Sequence, residues 1–337
     1  MKRKVVLLGP QGPKISEPAK AGPGGTTPDV GAVLAELGLR GRVALVNAGY
    51  QEREADDGPM IAALGVPAVN LKLHARSNEV FRDDPEFTTA YQSRQHRLRH
   101  IQTFYRVRLD KIEDAARTVS VRYVEPELLE QEEKVSVDQF RHLDADHIER
   151  CNALRAAFEL QWKASGRPVI AKHREELRKV LATCEALVIA GGHVASLLNR
   201  LALFDVLALA GTKPVIAWSA GAMVLTDRIV LFHDYPPYGS DIAQVLDAGF
   251  GIAPGIVVLP DARRRINIKA RSGIQRFARR MAPATCVAMD AGSRVVFENG
   301  ALTRALGMRL KISGDVERDW DGTPSRMSNP VLRGVPG

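Results

Sequence analysis

The residues with most chemical potential stand at 215–222, Val-Ile-Ala-Trp-Ser-Ala-Gly-Ala. An apolar run ends at Ser219 and is followed at once by three tiny residues. A buried strand running into a helix would leave Ser219 on the sharp turn between them. Small neighbours make such a turn possible, and the helix start would favour an alkoxide or oxyanion through free N–H groups and its partial positive charge. Nucleophilic catalysis is one reading of Ser219. The other is helix capping, for which serine is among the best residues. A second strand end, Ala186-Leu-Val-Ile-Ala190, runs into Gly191-Gly192-His193. A glycine pair there lets backbone N–H groups approach a ligand, so Gly191, Gly192 and Ala220 are candidates for an oxyanion hole. A tight turn is the plainer explanation of the two glycines.

These positions need elements to hold them. Short, β-branched, nearly unbroken apolar runs mark strands at 4–8, 42–47, 68–73, 186–190, 214–217, 255–259, 285–289 and 293–297. Unbroken rather than alternating runs suit strands buried on both faces of a parallel sheet. Helical patterns at 29–37, 193–209 and 272–281 lie between them. Strand alternating with helix predicts a doubly wound α/β fold with a mostly parallel sheet, whose sites form at the carboxyl ends of the strands. Residues 84–180 differ. They are polar and helically periodic, with Ile148, Cys151, Leu154, Ala157, Phe158 and Trp162 on one face. We read them as a largely helical insertion, serving as a cap, a homodimer contact or a small separate unit, in a single α/β domain over 1–320. Residues 321–337 read as a loose tail. The glycine- and proline-rich stretch at 9–29 lacks the lysine and Ser/Thr of a phosphate-binding P-loop.

Composition narrows the classes. With 45% hydrophobic residues the chain can bury a substantial core. No apolar run approaches the ~20 residues of a membrane span or forms a signal peptide, which predicts a cytoplasmic protein away from membranes. The three cysteines, Cys151, Cys184 and Cys286, have no metal-ligand spacing and read as buried thiols in a reducing compartment. Neither metal nor cofactor is expected. The net charge of +8 raises an acidic polymer as a partner. Residues 263–280 carry eight basic residues and no acidic one. Ile274, Phe277, Ala278 and Met281 fall at helical spacing there, which predicts a core-facing stripe with the arginines solvated. At 6% aromatics a stacking surface for single strands is not expected, so the composition argues against nucleic acid.

The pair "IAGGHVASLLNRL" and "VIAWSAGAMVLTD" resembles peptidase family S51, the dipeptidase E and cyanophycinase group, within the class I glutamine amidotransferase-like superfamily. The first glycine of the family's G-x-S-A-G-A pattern is Ala217 here. The resemblance continues through "GFGIAPGIVVLPDARRRI" and "CVAMDAGSRVVF" and covers about residues 186–300, not the helical insertion. It implies a flavodoxin-like fold and a serine hydrolase that cleaves peptide or isopeptide bonds without cofactor or metal. Carried over by position, Ser219 is the nucleophile, and Gly192 with Ala220 form the oxyanion hole. Asp227 matches the family's acidic residue after the elbow helix; a helix-end surface residue is its plainer reading.

One departure stands out. Where the family pattern leads to its catalytic histidine, this chain has Asp261. An ordinary carboxylate, with a pKa near ~4, is a weak base towards a serine hydroxyl. Either another histidine serves, or burial tunes Asp261, or the protein is an impaired relative that binds a ligand or partner without turnover. His233, beside Asp234 just past the elbow helix, is the nearest substitute base; His193 is the next. His193, Trp218, Gln51 and Arg53 are candidates for contacting a small-molecule or peptide substrate. The basic net charge fits acidic or neutral peptides better than an arginine-rich polymer.

Overall fold

The computed structural model describes residues 3–11, 29–232 and 242–322. Five strands form the parallel half of a ten-stranded sheet: β1 (Lys4–Leu8), β2 (Val43–Val46), β3 (Ala68–Asn70), β4 (Ala186–Ile189) and β5 (Val215–Trp218). Their spatial order is β3-β2-β4-β5-β1. The even burial of the strands has a simple origin in the pleat: successive side chains enter different cores. Val5 and Leu7 pack in the cluster beneath α6 (Pro168–Ala182) and α7 (Val194–Phe204). Val6, Leu8, Ile216 and Trp218 face the opposite cluster, with α1 (Val30–Glu36) and α2 (Gly58–Leu64). Covered strands need apolar residues at every position, which is why they read as unbroken runs. The predicted doubly wound α/β fold, with its mostly parallel sheet, is the fold observed.

Between β3 and α6 come α3 (Leu73–Asp83), α4 (Pro85–Ser120) and α5 (Pro126–Trp162). Asp84 starts α4 by accepting the Phe87 N–H at 3.1 Å, with Pro85 in the first turn. α4 and α5 run 36 and 37 residues, about 54 Å each at 1.5 Å per residue, and pack as a helical hairpin. After α7 comes α8 (Val206–Leu209). The pattern at 193–209 predicts one helix, but it breaks at Asp205, which is left-handed at φ 51°. Arg174 supports the break by donating to the Phe204 carbonyl at 3.0 Å.

The second half begins with α9 (Ala220–Val224) and a separate ribbon of β6 (Arg228–Leu231) and β7 (Gln244–Ala248). Then follow β8 (Ile256–Pro260), α10 (Ala262–Arg265), α11 (Arg271–Met281), β9 (Thr285–Met289), β10 (Arg294–Glu298), β11 (Ala301–Leu310) and β12 (Val316–Trp320). β9 and β10 lie end to end along the ten-residue β11, both antiparallel to it. The break between them, at 290–293, abuts the end of β1: Gly9 donates to the Ser293 carbonyl at 2.9 Å. The carboxyl ends of β1 and β5 on one side, and of β8 and β9 on the other, therefore converge on one sheet edge.

The arginine-rich stretch differs from its sequence reading. Ile274, Ala278 and Met281 are buried and Arg263, Arg264 and Arg271 exposed as the spacing predicts, but the arginines at the end of α11 are not all solvated. Arg280 is 4% exposed and forks onto Asp144 of α5, with Nε to Oδ2 and Nη2 to Oδ1 both at 2.7 Å. Its Nη2 also reaches the Tyr105 hydroxyl of α4 at 2.9 Å, and that hydroxyl donates to Asp144 at 2.8 Å. Burial opposes the Arg280 charge, but Asp144 outweighs it and holds the guanidinium's pKa above its ordinary value. Arg276 pairs with Glu113 and Arg279 with Glu133. Acids on the long hairpin thus take up cations of α11, a pairing between segments more than a hundred residues apart. Among the described residues no helix is long and apolar enough to cross a membrane.

Candidate active site

Ser219 leaves β5 with φ 51° and ψ −122°, close to the first central position of a type II′ turn. A non-glycine residue there is strained, by about 1–3 kcal/mol in general. Capping does not explain it, because the side chain makes no cap hydrogen bond. Among the described residues Oγ has no hydrogen-bond partner at all. Two glycines close the turn. A Cβ on Gly221 would lie 2.4 Å from the Ile189 carbonyl oxygen, so only glycine lets α9 press against the end of β4. A Cβ on Gly191 would stand 3.0 Å from Ser219 Cβ, which puts the two strand ends in contact. Gly192 has φ 103° and forms a parallel bridge with Gly49. Among the described residues no backbone acceptor takes the N–H of Gly192 or of Ala220. Of the predicted trio, Gly191 and Ala220 lie beside Ser219, and Gly192 follows in the chain against Gly49.

His193 is the N-cap of α7, its Nδ1 accepting the Ser196 N–H at 3.2 Å. That bond puts the proton of a neutral ring on Nε2, so the free nitrogen is a donor rather than a base. Gln51 reaches the same corner and donates to Ser196 Oγ at 2.6 Å. Gln51 and His193 are thus joined through Ser196. Arg53 is exposed and pairs with Asp56. Trp218 is 5% exposed and lies in the core beneath α1. Asp227 sits past the far end of α9, where Oδ2 accepts the Gly255 N–H at 2.7 Å and ties down the turn before β8. His233 and Asp234 lie outside the described residues.

Asp261 follows β8 in the left-handed conformation, φ 58° and ψ 41°, with its N–H on the Met289 carbonyl at 2.9 Å. Its carboxylate is 3.7 Å from Arg264. Next to it across the sheet is Asp290, which the sequence reading missed. Burial raises the Asp290 pKa above the ordinary carboxylate range, against the pull of Arg263, whose N–H donates to it at 3.1 Å. The signal available was positional: Asp290 ends the strand run 285–289 just as Asp261 ends the run 255–259. A cavity of about 820 Å³ opens beside Gly192 and His193, between α4, α5, α7 and the β6–β7 ribbon. Its size suits a small ligand or a short peptide.

A strained serine thus stands at a strand-to-helix turn, beside a glycine pair at the carboxyl edge of a doubly wound sheet. Residues 143–305 match the model of peptidase family S51. The fold is similar to that of a peptidase from an acI-B1 actinobacterium, at 12% identity and a TM-score of 0.46, over 94% of this chain and 97% of that one. No curated protein matches the chain.

Proposed function

We propose that the protein is a serine-type hydrolase that cleaves a peptide or amide bond of a small substrate through Ser219. The observation that carries this reading is the strained backbone of Ser219, whose Oγ has no hydrogen-bond partner among the described residues. Strain of this kind persists where surrounding structure imposes it, and active sites are where it concentrates. In the proposed reaction Oγ attacks the substrate carbonyl carbon. The Gly192 and Ala220 N–H groups take the charge that develops on oxygen. Collapse of the adduct breaks the C–N bond and expels the amine, and water then releases the acyl group. A base must accept the Ser219 proton, and His233 and Asp261 are the candidates for it.

The second reading is an impaired relative that binds without turnover. It draws on Asp261, which stands where the family pattern leads to histidine. Fluorophosphonate labelling followed by intact mass separates the two. Wild-type labelling that Ser219→Ala abolishes supports the hydrolase. Silence in the wild type, with labelling gained in Asp261→His, supports the impaired reading and sinks the first. Histidine is among the residues that tolerate a left-handed backbone, so that variant suits φ 58°.

A further inference from the structure

α4 turns a polar face into the cavity beside Gly192. Gln92, Gln95, Arg99, Gln102 and Arg106 all line it, at steps of three and four residues. That spacing is one helix face. This face walls an open cleft, with Gln92, Arg99 and Arg106 exposed and Gln95 and Gln102 half-buried. The face runs about 21 Å at 1.5 Å per residue, the length of some six extended peptide residues.

The charge on this wall is unbalanced. Arg99, Arg106, Arg155 and Arg200 line the cavity, and Asp247 is the one carboxylate among its described lining residues. Asp247 is already engaged, gripped by both terminal nitrogens of Arg155. Arg106 donates only to the neutral Gln244 side chain, at 2.9 Å. Arg200 lies over the Phe81 ring, and its buried Nε has no hydrogen-bond partner. Among the described residues Arg99, Arg106 and Arg200 have no carboxylate partner. Guanidinium groups are donors only, so the wall calls for a ligand rich in acceptors and negative charge. Arg99 and Arg106 are seven residues apart, about 10 Å along the helix. In an extended chain of polyproline-II form, with three residues per turn and a rise of about 3.1 Å, that is close to the spacing of side chains three residues apart, which share a face.

We propose that this α4 face binds an extended peptide carrying carboxylates three residues apart, its far end reaching the glycine pair at Gly192. The proposal rests on the hydrolase reading only for what lies at that end; the binding does not require turnover. The side-chain amides of Gln92 and Gln95 suit the peptide's backbone, and the arginines its carboxylates.

The experiment uses the full chain carrying Ser219→Ala and fluorescein-labelled hexapeptides followed by anisotropy. One peptide has glutamate at positions 1 and 4, and the other has glutamine there. The glutamate peptide is expected to bind at least about tenfold more tightly, as charge-assisted hydrogen bonds require. Arg99→Gln and Arg106→Gln should each weaken it by about tenfold, while Arg97→Gln, in a different groove of α4, leaves it unchanged. Equal binding of the two peptides overturns the proposal. So does a glutamate peptide that ignores both arginine changes, or one displaced more readily by inorganic phosphate or a single-stranded oligonucleotide than by unlabelled peptide. Fluorophosphonate silence with peptide binding intact removes the hydrolase reading and leaves this one standing; labelling without peptide binding does the reverse.

Discussion

Replacing Ser219 by glycine and by alanine separates the strain at the elbow from the chemistry of the hydroxyl. At φ 51° and ψ −122° an alanine keeps its Cβ and therefore keeps the strain of the serine. Glycine removes that strain, a gain of about 1–3 kcal/mol. Glycine also costs about 0.5–1 kcal/mol through the greater freedom of the unfolded chain. At mid-range the difference leaves Ser219→Gly more stable than Ser219→Ala by about 1 kcal/mol. Ser219→Ala itself should match the wild type within about 0.5 kcal/mol, since Oγ gives up no hydrogen bond to a described residue. Urea unfolding of the three proteins, compared at equal m-values, measures this order directly. Both variants should lose fluorophosphonate labelling if the wild type shows it. An alanine variant as stable as the glycine variant would refute the strained turn. A loss above about 1 kcal/mol in Ser219→Ala would mean that the hydroxyl holds a structural bond instead.

Two further outcomes concern the hairpin. Asp144→Ala leaves the Arg280 guanidinium buried and unpaired, so stability should fall by about 3–5 kcal/mol, and Asp144→Leu combined with Arg280→Met should recover much of it; a urea midpoint that barely moves in Asp144→Ala would remove the pair from the account. Burial holds the His147 imidazole below its ordinary pKa, with the ring stacked on Tyr105 and Nε2 on the Leu246 carbonyl at 3.1 Å. The unfolded chain therefore takes up this proton first as the pH falls. The stability it supports is present above the unfolded value near 6.5 and lost below it, at up to about 1.4 kcal/mol per pH unit. His147→Gln should flatten the pH 7.5 to 5.5 slope in a urea series, though not abolish it, because burial depresses His173 in the same direction; a slope unchanged by the substitution counts against the assignment.

The sheet strands were legible because burial on both faces leaves no room for polar residues, and the eight apolar runs fall on eight of the observed strands. β7, β11 and β12 were not. β11 reads Ala-Leu-Thr-Arg-Ala-Leu-Gly-Met-Arg-Leu, half exposed and interrupted by charge, so its pattern is diluted. At the candidate site, the tiny residues around Ser219 and the glycine pair showed where backbones had to meet. Arg280 was misread because helical spacing ranks positions by hydrophobicity alone. Its partner, Asp144, stands on another element, and periodicity within one helix carries no trace of it. The cavity face of α4 was hidden for the same reason: a row of glutamines and arginines looks the same whether it meets water or a cavity.

All five residues of α9 are buried, so the helix behind Ser219 has no solvent side. Nearly every atom there is fixed by a neighbour, Gly221 most tightly of all. The α4 wall, by contrast, precedes the segment that matches the family and is open along its face. Attempts at redesign therefore have an uneven landscape before them. Libraries at Gln92, Arg99 and Arg106 can be searched freely for altered binding, while the elbow is best left untouched.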